Sequence, residues 1–362
     1  MAGCCQTCPC FLTDEEKKAI AVDREIQYIL RKQKKRERRE IKILLLGTGE
    51  SGKTTFIKQM RIIHGEGYSE EQCKAFAKLV HQNIFSAVQA MTAAMTALKI
   101  PYANKENQGY AEFVQGVDTL QVRQMERGHL VAIQRLWADP GFKVCYSRRR
   151  EYQLLDSTEY YMENLDRIAA PNYIPTPQDV LRVRVPTTGI NDYSFKVTNV
   201  TLRIVDVGGQ KSERRKWIHC FENVMSLIFL ASLSEYDQVL EEQETENRMR
   251  ESLALFSTTI HSRWFEHTSV ILFLNKTDIL EDKIKTSDLQ NYFPDFTGKR
   301  RDAVEAQKFI KGMYMEQAKT NGKQLKNLYC HFTCATDTQN IRKVFQDVKD
   351  TAIQRIVDDY LT

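Results

Sequence analysis

Eight residues, Gly47-Thr48-Gly49-Glu50-Ser51-Gly52-Lys53-Thr54, constrain this chain more than any other part of it. They satisfy G-x-x-x-x-G-K-[ST] and follow directly on a short apolar run, Ile41 to Leu46, which reads as a buried parallel strand feeding a glycine turn. In that setting the glycines let successive backbone amides point inward at phosphate oxygens. Lys53 can reach the β- and γ-phosphates, and the Thr54 hydroxyl can ligate Mg²⁺. A strand followed by this turn and a helix commits the chain to an α/β architecture with the loop at the carboxyl end of a strand.

The rest of the pattern agrees with that architecture. Apolar runs recur at Thr201 to Val205, Val224 to Ala231, Ser269 to Leu274 and Leu328 to Thr333, each followed by polar or glycine-containing residues and then helical patterning. Strand alternating with helix predicts a parallel sheet covered on both faces. Between residues 68 and 182 the pattern is helical throughout, with no convincing strand, and it ends in the proline-marked segment Pro171 to Pro177. Residues 14 to 39 contain no Gly or Pro and space Ala19, Val22, Ile26, Ile29 and Leu30 as one long exposed helix, starting at Thr13 or Asp14. No apolar run approaches the roughly 18 residues of a membrane span.

Charge is concentrated rather than spread. The chain of 362 residues has a net charge of +5, and the ten residues Arg31 to Glu40 alone carry seven basic and two acidic side chains, a local +5. That argues against a nucleic-acid surface and for one basic stripe facing anionic lipid or an acidic partner, if it is more than a solvated helix face. Four of the nine cysteines, Cys4, Cys5, Cys8 and Cys10, lie in the first ten residues without an apolar leader, which suits a reducing compartment. Zinc at Cys5 and Cys8 lacks a second ligand pair nearby. Ala2 before Gly3 disfavours myristoylation, so acylation of Cys4 and Cys5 beside the basic helix is the expected membrane signal.

Two further motifs stand at strand ends. Asn275-Lys276-Thr277-Asp278 offers a carboxylate that can accept from the N1–H and N2–H₂ edge of guanine, a donor pair adenine lacks. A P-loop alone would fit an ATP-dependent kinase or ATPase; this element tips the choice to GTP. Asp206-Val207-Gly208-Gly209-Gln210 supplies an acid to hold Mg²⁺ through water, an amide to sense a γ-phosphate and a glutamine to orient the attacking water.

With these three in order, the chain closely resembles the α subunits of heterotrimeric G proteins over essentially its whole length. The resemblance also rests on Phe56-Ile57-Lys58-Gln59-Met60-Arg61, the stretch Asp179 to Gly189, Arg214-Arg215-Lys216-Trp217 and Thr333-Cys334-Ala335-Thr336. The wording VRVPTTG, with Arg148-Arg149-Arg150-Glu151-Tyr152 upstream, looks most like the q class.

The resemblance implies a Ras-like P-loop GTPase domain (41–67 and 183–362) with an inserted all-helical domain (68–182) and an N-terminal helix (1–40). It implies catalytic roles for Arg184, Gln210 and Glu50, the acid pairing with the arginine. Nucleotide contacts are implied at Gly47, Glu50, Ser51, Gly52, Lys53, Thr54, Thr55, Asp156, Ser157, Leu181, Arg182, Val183, Arg184, Thr187, Asp206, Gly209, Gln210, Asn275, Lys276, Asp278 and Ala335. Mg²⁺ would be held by Thr54 and Thr187, with Asp206 acting through water. Implied partners are a βγ dimer, a seven-transmembrane receptor, a phospholipase C-β type effector, GTPase-activating regulators and the cytoplasmic face of the plasma membrane. A catalytically inert nucleotide-binding scaffold is the remaining alternative, and the presence of both Arg184 and Gln210 argues against it. The chain departs from the family pattern at Thr54, where Ser is usual, at Lys211, where Arg is usual, and in the tail Ile356 to Thr362, whose last residues differ from the q-class ending.

Overall fold

The computed structural model describes residues 13–37, 40–197, 200–241, 243, 245–320, 323–324, 327–346 and 349. Cys4, Cys5 and the tail 356–362 lie outside the described residues. In chain order come α1 (Asp14–Glu37), β1 (Glu40–Gly47), α2 (Lys53–His64), α3 (Glu70–Ala97), α4 (Asn107–Gln115), α5 (Arg127–Ala138), α6 (Pro140–Ser147), α7 (Thr158–Glu163), α8 (Leu165–Ile168) and α9 (Pro177–Arg182). They are followed by β2 (Ile190–Val197), β3 (Val200–Val207), β4 (Ser226–Ser232), α10 (Arg248–Ile260), β5 (Ser269–Asn275), α11 (Thr277–Lys283), α12 (Ala303–Gln317), β6 (Lys319–Thr320), β7 (Lys323–Gln324) and β8 (Leu328–Phe332); residues 338–346 are again helical.

Six strands form one sheet in the order β2-β3-β1-β4-β5-β8. All neighbours pair parallel except β2 with β3, and β1 lies between β3 and β4, with Leu45 opposite Asp206 on one side and Ile228 on the other. Every residue of β4 and β5 is buried, which is why those strands read as unbroken apolar runs. The edge strand β2 did not read that way. Only Phe195 and Val197 are buried in it, and its polar alternation suits a half-wet antiparallel edge.

Side chains alternate across the sheet into two layers of core. Leu44, Leu46, Val207 and Phe229 pack toward Phe256, Ile260, Ile310 and Tyr314 of α10 and α12. Ile43, Leu45, Ile204 and Phe273 face Phe56 and Met60 of α2 with Val344 and Phe345. A separate core belongs to the helices between β1 and β2. There the 28-residue α3, opened by a capping box of Ser69 with Gln72, lays Val80, Ile84, Phe85, Val88 and Met91 against Ile133, Leu136, Phe142 and Tyr161. Val183, just beyond α9, joins this helical core. The fold is thus a mostly parallel sheet flanked by helices, with a helical insert.

By contrast α1 presents an exposed apolar row: Val22, Ile26, Ile29 and Leu30 are each about half exposed. Among the described residues, no helix is long and apolar enough to cross a membrane.

One buried acid fixes the short helix that leads into the site. Asp179 caps α9 through the Thr176 N–H at 2.8 Å, takes both Arg167 terminal nitrogens at 2.8 Å, and accepts from Tyr160 at 2.8 Å and Tyr173 at 3.0 Å. Burial alone would raise its pKa, but the Arg167 guanidinium and the other donors outweigh that and hold it down to about 2. Because the folded value lies below the unfolded one, its contribution is present above about pH 4 and fades as pH falls toward about 2. We expect Asp179→Asn to lower stability at neutral pH by about 2–3 kcal/mol, moderated because Arg167 is partly solvated. Thermal denaturation followed by circular dichroism should also show a smaller acid-side loss in the variant.

Candidate functional site

The carboxyl ends of β1, β3, β5 and β8 open toward the helical insert, and between them lies a cavity of about 230 Å³. Of the nucleotide contacts expected from the sequence, all line this cavity except Gly47, Ser51 and Asp206. Those three lie behind its wall.

The loop after β1 is shaped by residues in the left-handed region: Glu50 at φ 62° and Gly52 at φ 103°. A Cβ on Gly52 would collide with the Asn275 side-chain nitrogen, which donates to the Ser51 carbonyl at 2.9 Å. Lys53 opens α2 and is buried, its ammonium donating to the carbonyls of Gly47 (2.9 Å) and Thr48 (2.7 Å). Burial lowers its pKa to about 8 against the pull of Asp206 and Glu235. Gly209 lies so close that a Cβ there would strike Lys53 Nζ and the carbonyls of Gly47 and Thr48.

Beside Lys53, three oxygen-bearing side chains converge. The Thr54 and Thr187 hydroxyls are 2.7 Å apart, and Thr54 donates to Asp206 Oδ2 at 3.3 Å. Asp206 is fully buried, its other oxygen makes no hydrogen bond, and burial raises its pKa to about 6 against Lys53. An unpartnered buried carboxylate oxygen beside two hydroxyls is a hard-oxygen set that fits Mg²⁺.

A second charge cluster lies at the Thr54 and Thr187 end of the cavity. Glu50 pairs through one oxygen with the Arg184 guanidinium and through the other with Arg248 Nη1 at 3.0 Å. Arg248 also reaches Glu235 and the Gly49 carbonyl, each at 3.2 Å. Burial pulls Arg184 below the ordinary arginine range, without threatening its charge. Gln210 is exposed at the rim and leads into a 3-10 segment, Lys211–Cys220. That segment is fastened by Trp217, which is buried and donates to the Gly208 carbonyl at 2.9 Å, and by Arg214, which pairs with Glu251.

At the opposite end, Asn275 organises the loops. Its oxygen accepts from Thr333 Oγ1 at 3.1 Å and from the Ala335 N–H at 3.0 Å. The Ala335 amide, which the resemblance offers to a base, is therefore directed at Asn275 here. Gln59 of α2 holds the Ala335 carbonyl at 2.9 Å. Asp278 lines the cavity beside Lys276, whose ammonium crosses to Asp156 of the insert at 2.5 Å.

Arg248, Asn83 and Lys58 were not singled out as site residues from the sequence. Arg248 opens α10, far from every motif, and only folding brings it to Glu50. Lys58 lay within the stretch that carries the resemblance, with nothing to mark its partners. It donates to the carbonyls of Val180 (2.9 Å) and Val183 (2.6 Å), and burial lowers its pKa to about 8.

A family model described as G-protein alpha subunit matches residues 20–352. Guanine nucleotide-binding protein subunit alpha-15 of Rattus norvegicus is 58% identical over 99% of this chain and 97% of its own length. The protein of that name from Mus musculus is 57% identical over 99% and 97%, and the one from Homo sapiens 57% over 97% and 96%.

Because Asn275 is buried and joins Ser51, Thr333 and Ala335, Asn275→Ala removes three hydrogen bonds and strands their partners. The expected loss is about 3 kcal/mol of stability. It should appear as a lowered denaturation midpoint in protein stripped of small molecules, so that ligand affinity plays no part.

Proposed function

The chain belongs to the G-protein α subunit family, and from that premise we propose a q-like switch in which Arg184 and Gln210 run the hydrolysis of GTP. The family's members are guanine-nucleotide-binding GTPases, which sets aside the ATP-dependent kinase and the inert scaffold. The convergence of Arg184, Glu50, Thr54, Thr187 and Asp206 at one end of a cavity with Asp278 at the other carries the residue-level reading.

The reading assigns each end a task. Asp278 accepts from the guanine N1–H and N2–H₂ edge, while Lys276 and Asp156 close the insert over the nucleotide. Amides of residues 49–55 and the Lys53 ammonium hold the phosphates; an incoming polyanion favours the charged lysine and draws it from the Gly47 and Thr48 carbonyls. Thr54 and Thr187 would hold Mg²⁺ directly and Asp206 through water. When bound, that ion neutralises charge on the β- and γ-phosphate oxygens. Arg184 exchanges Glu50 for the γ-phosphate as charge develops there, and Gln210 orients the attacking water in line with it. Thr187 and Gly209 follow the γ-phosphate, so two segments order with GTP and relax with GDP.

The same reading divides the chain into an N-terminal helix (1–40), a discontinuous GTPase domain (41–67 and 183–362) and a helical domain (68–182). The exposed apolar row of α1 and the basic segment after Gln210 suit a βγ dimer in the GDP state. A receptor acting on the C-terminal helix would lower nucleotide affinity, and linkage requires nucleotide to weaken receptor binding equally. In the GTP state the output would be a phospholipase C-β type effector, with GTPase-activating regulators shortening the signal. Acyl groups on Cys4 and Cys5, with the basic stripe, would hold the protein on the cytoplasmic face of the plasma membrane.

Single-turnover hydrolysis of bound GTP by the purified chain tests the central assignment. Arg184→Ala should bind a GTP analogue with wild-type stoichiometry yet hydrolyse GTP slower by about 10³- to 10⁵-fold, the general range for arginine fingers, this family's own included. Hydrolysis of ATP in preference to GTP, or an Arg184→Ala rate equal to wild type, would overturn it.

A further inference from the structure

An arginine stabilises a transition state only if its main chain is held where the guanidinium can reach, and the helical insert supplies that hold. Asn83, in the middle of α3, closes a ring on the backbone of Arg184. Its Oδ1 accepts from the Arg184 N–H at 2.6 Å, and its Nδ2 donates to the Arg184 C=O at 3.1 Å. These partners fix the orientation of the amide, since the N–H requires an acceptor and the C=O a donor. Aspartate at this position would set a carboxylate against the carbonyl, and alanine would release both groups.

The preceding residues are held with equal economy. Lys58 of α2 clamps the carbonyls of Val180 and Val183, and the Val183 side chain is buried in the helical core. The chain therefore enters Arg184 from a fixed point, Asn83 fixes Arg184 itself, and the guanidinium beyond it is left to exchange partners, standing now on Glu50.

We propose that Asn83 is a positioning residue for GTP hydrolysis, tying the catalytic arginine to the helical insert so that closure of the insert and placement of the guanidinium are one event. This rests on the GTPase reading above. Asn83 touches no reacting atom; it acts through Arg184. Opening of the insert then either carries Arg184 away from the phosphates or breaks both hydrogen bonds.

The test is a double-mutant cycle on the full chain, reading single-turnover hydrolysis of preloaded GTP in wild type, Asn83→Ala, Arg184→Ala and the double variant. Asn83→Ala is expected to bind the GTP analogue with wild-type stoichiometry and to hydrolyse GTP about 10- to 100-fold slower, the scale of an ångström-level misplacement. In the Arg184→Ala background the same change should cost less than about twofold, because its route of action is already gone. Asn83→Asp, which keeps size and the acceptor to the N–H, should slow hydrolysis as well and serves if the alanine variant does not fold. A wild-type rate in either variant, or an equal loss with and without Arg184, would overturn the proposal. Failure of the wild-type chain to hydrolyse GTP would instead overturn the GTPase reading on which it rests.

Discussion

Three loops that end three different strands meet through one side chain. Asn275, at the end of β5, donates to the phosphate loop at Ser51 and accepts from Thr333 and Ala335 after β8. All of these bonds are buried, where losing a partner costs more than in water. The cavity keeps its shape because this crosslink sets the distance between the loop after β1 and the loops after β5 and β8. Gly52 is required for the same reason, since any side chain there would occupy the place of the asparagine amide.

Charge is arranged around that frame with cations that are buried or partly buried. Lys53, Lys58, Arg184 and Arg248 lie at or behind the cavity wall, balanced only partly by Glu50, Asp206 and Glu235. Both lysines are pushed to about 8 by burial, and Asp206 is pushed up to about 6. Lost hydration disfavours the charged form of each group, so a polyanion beside the lysines and a divalent cation beside Asp206 would relieve both penalties together. On the proposed reading Glu50 is a stand-in acid: it holds two guanidinium groups, one of which phosphate oxygens would take over.

Much of this was legible in the sequence because it depends on local chemistry. The glycine turn, the NKTD element and DVGGQ each put their polar groups at a strand end, and β1, β3, β4 and β5 announced themselves as apolar runs because both faces of the sheet are covered there, while β8 read as an apolar run although its residues are only half-buried or exposed. The edge strand β2 was not visible, since half of it faces water. Nor were the supports. Asn83 and Arg184 are 101 residues apart and Glu50 and Arg248 are 198 apart, and a lone asparagine or arginine on a helix gives no sign that folding will bring it to a distant backbone or carboxylate. Lys58 is a similar case: its spacing marks only a helix, while its function as a clamp depends on carbonyls supplied by α9.

The claim at the centre of this account is that one cavity selects guanine and senses a γ-phosphate through the segment after Gln210. Trp217 is placed to report on it, because its indole N–H is bonded to the carbonyl of Gly208 in the turn that would follow the phosphate. The most direct measurement is tryptophan fluorescence of the purified chain as a non-hydrolysable GTP analogue is added with Mg²⁺, with the corresponding ATP analogue as control. The account predicts a slow change specific to the GTP analogue that disappears in Trp217→Phe. A response to the ATP analogue, or saturable binding of the GTP analogue with no change in emission, would contradict it.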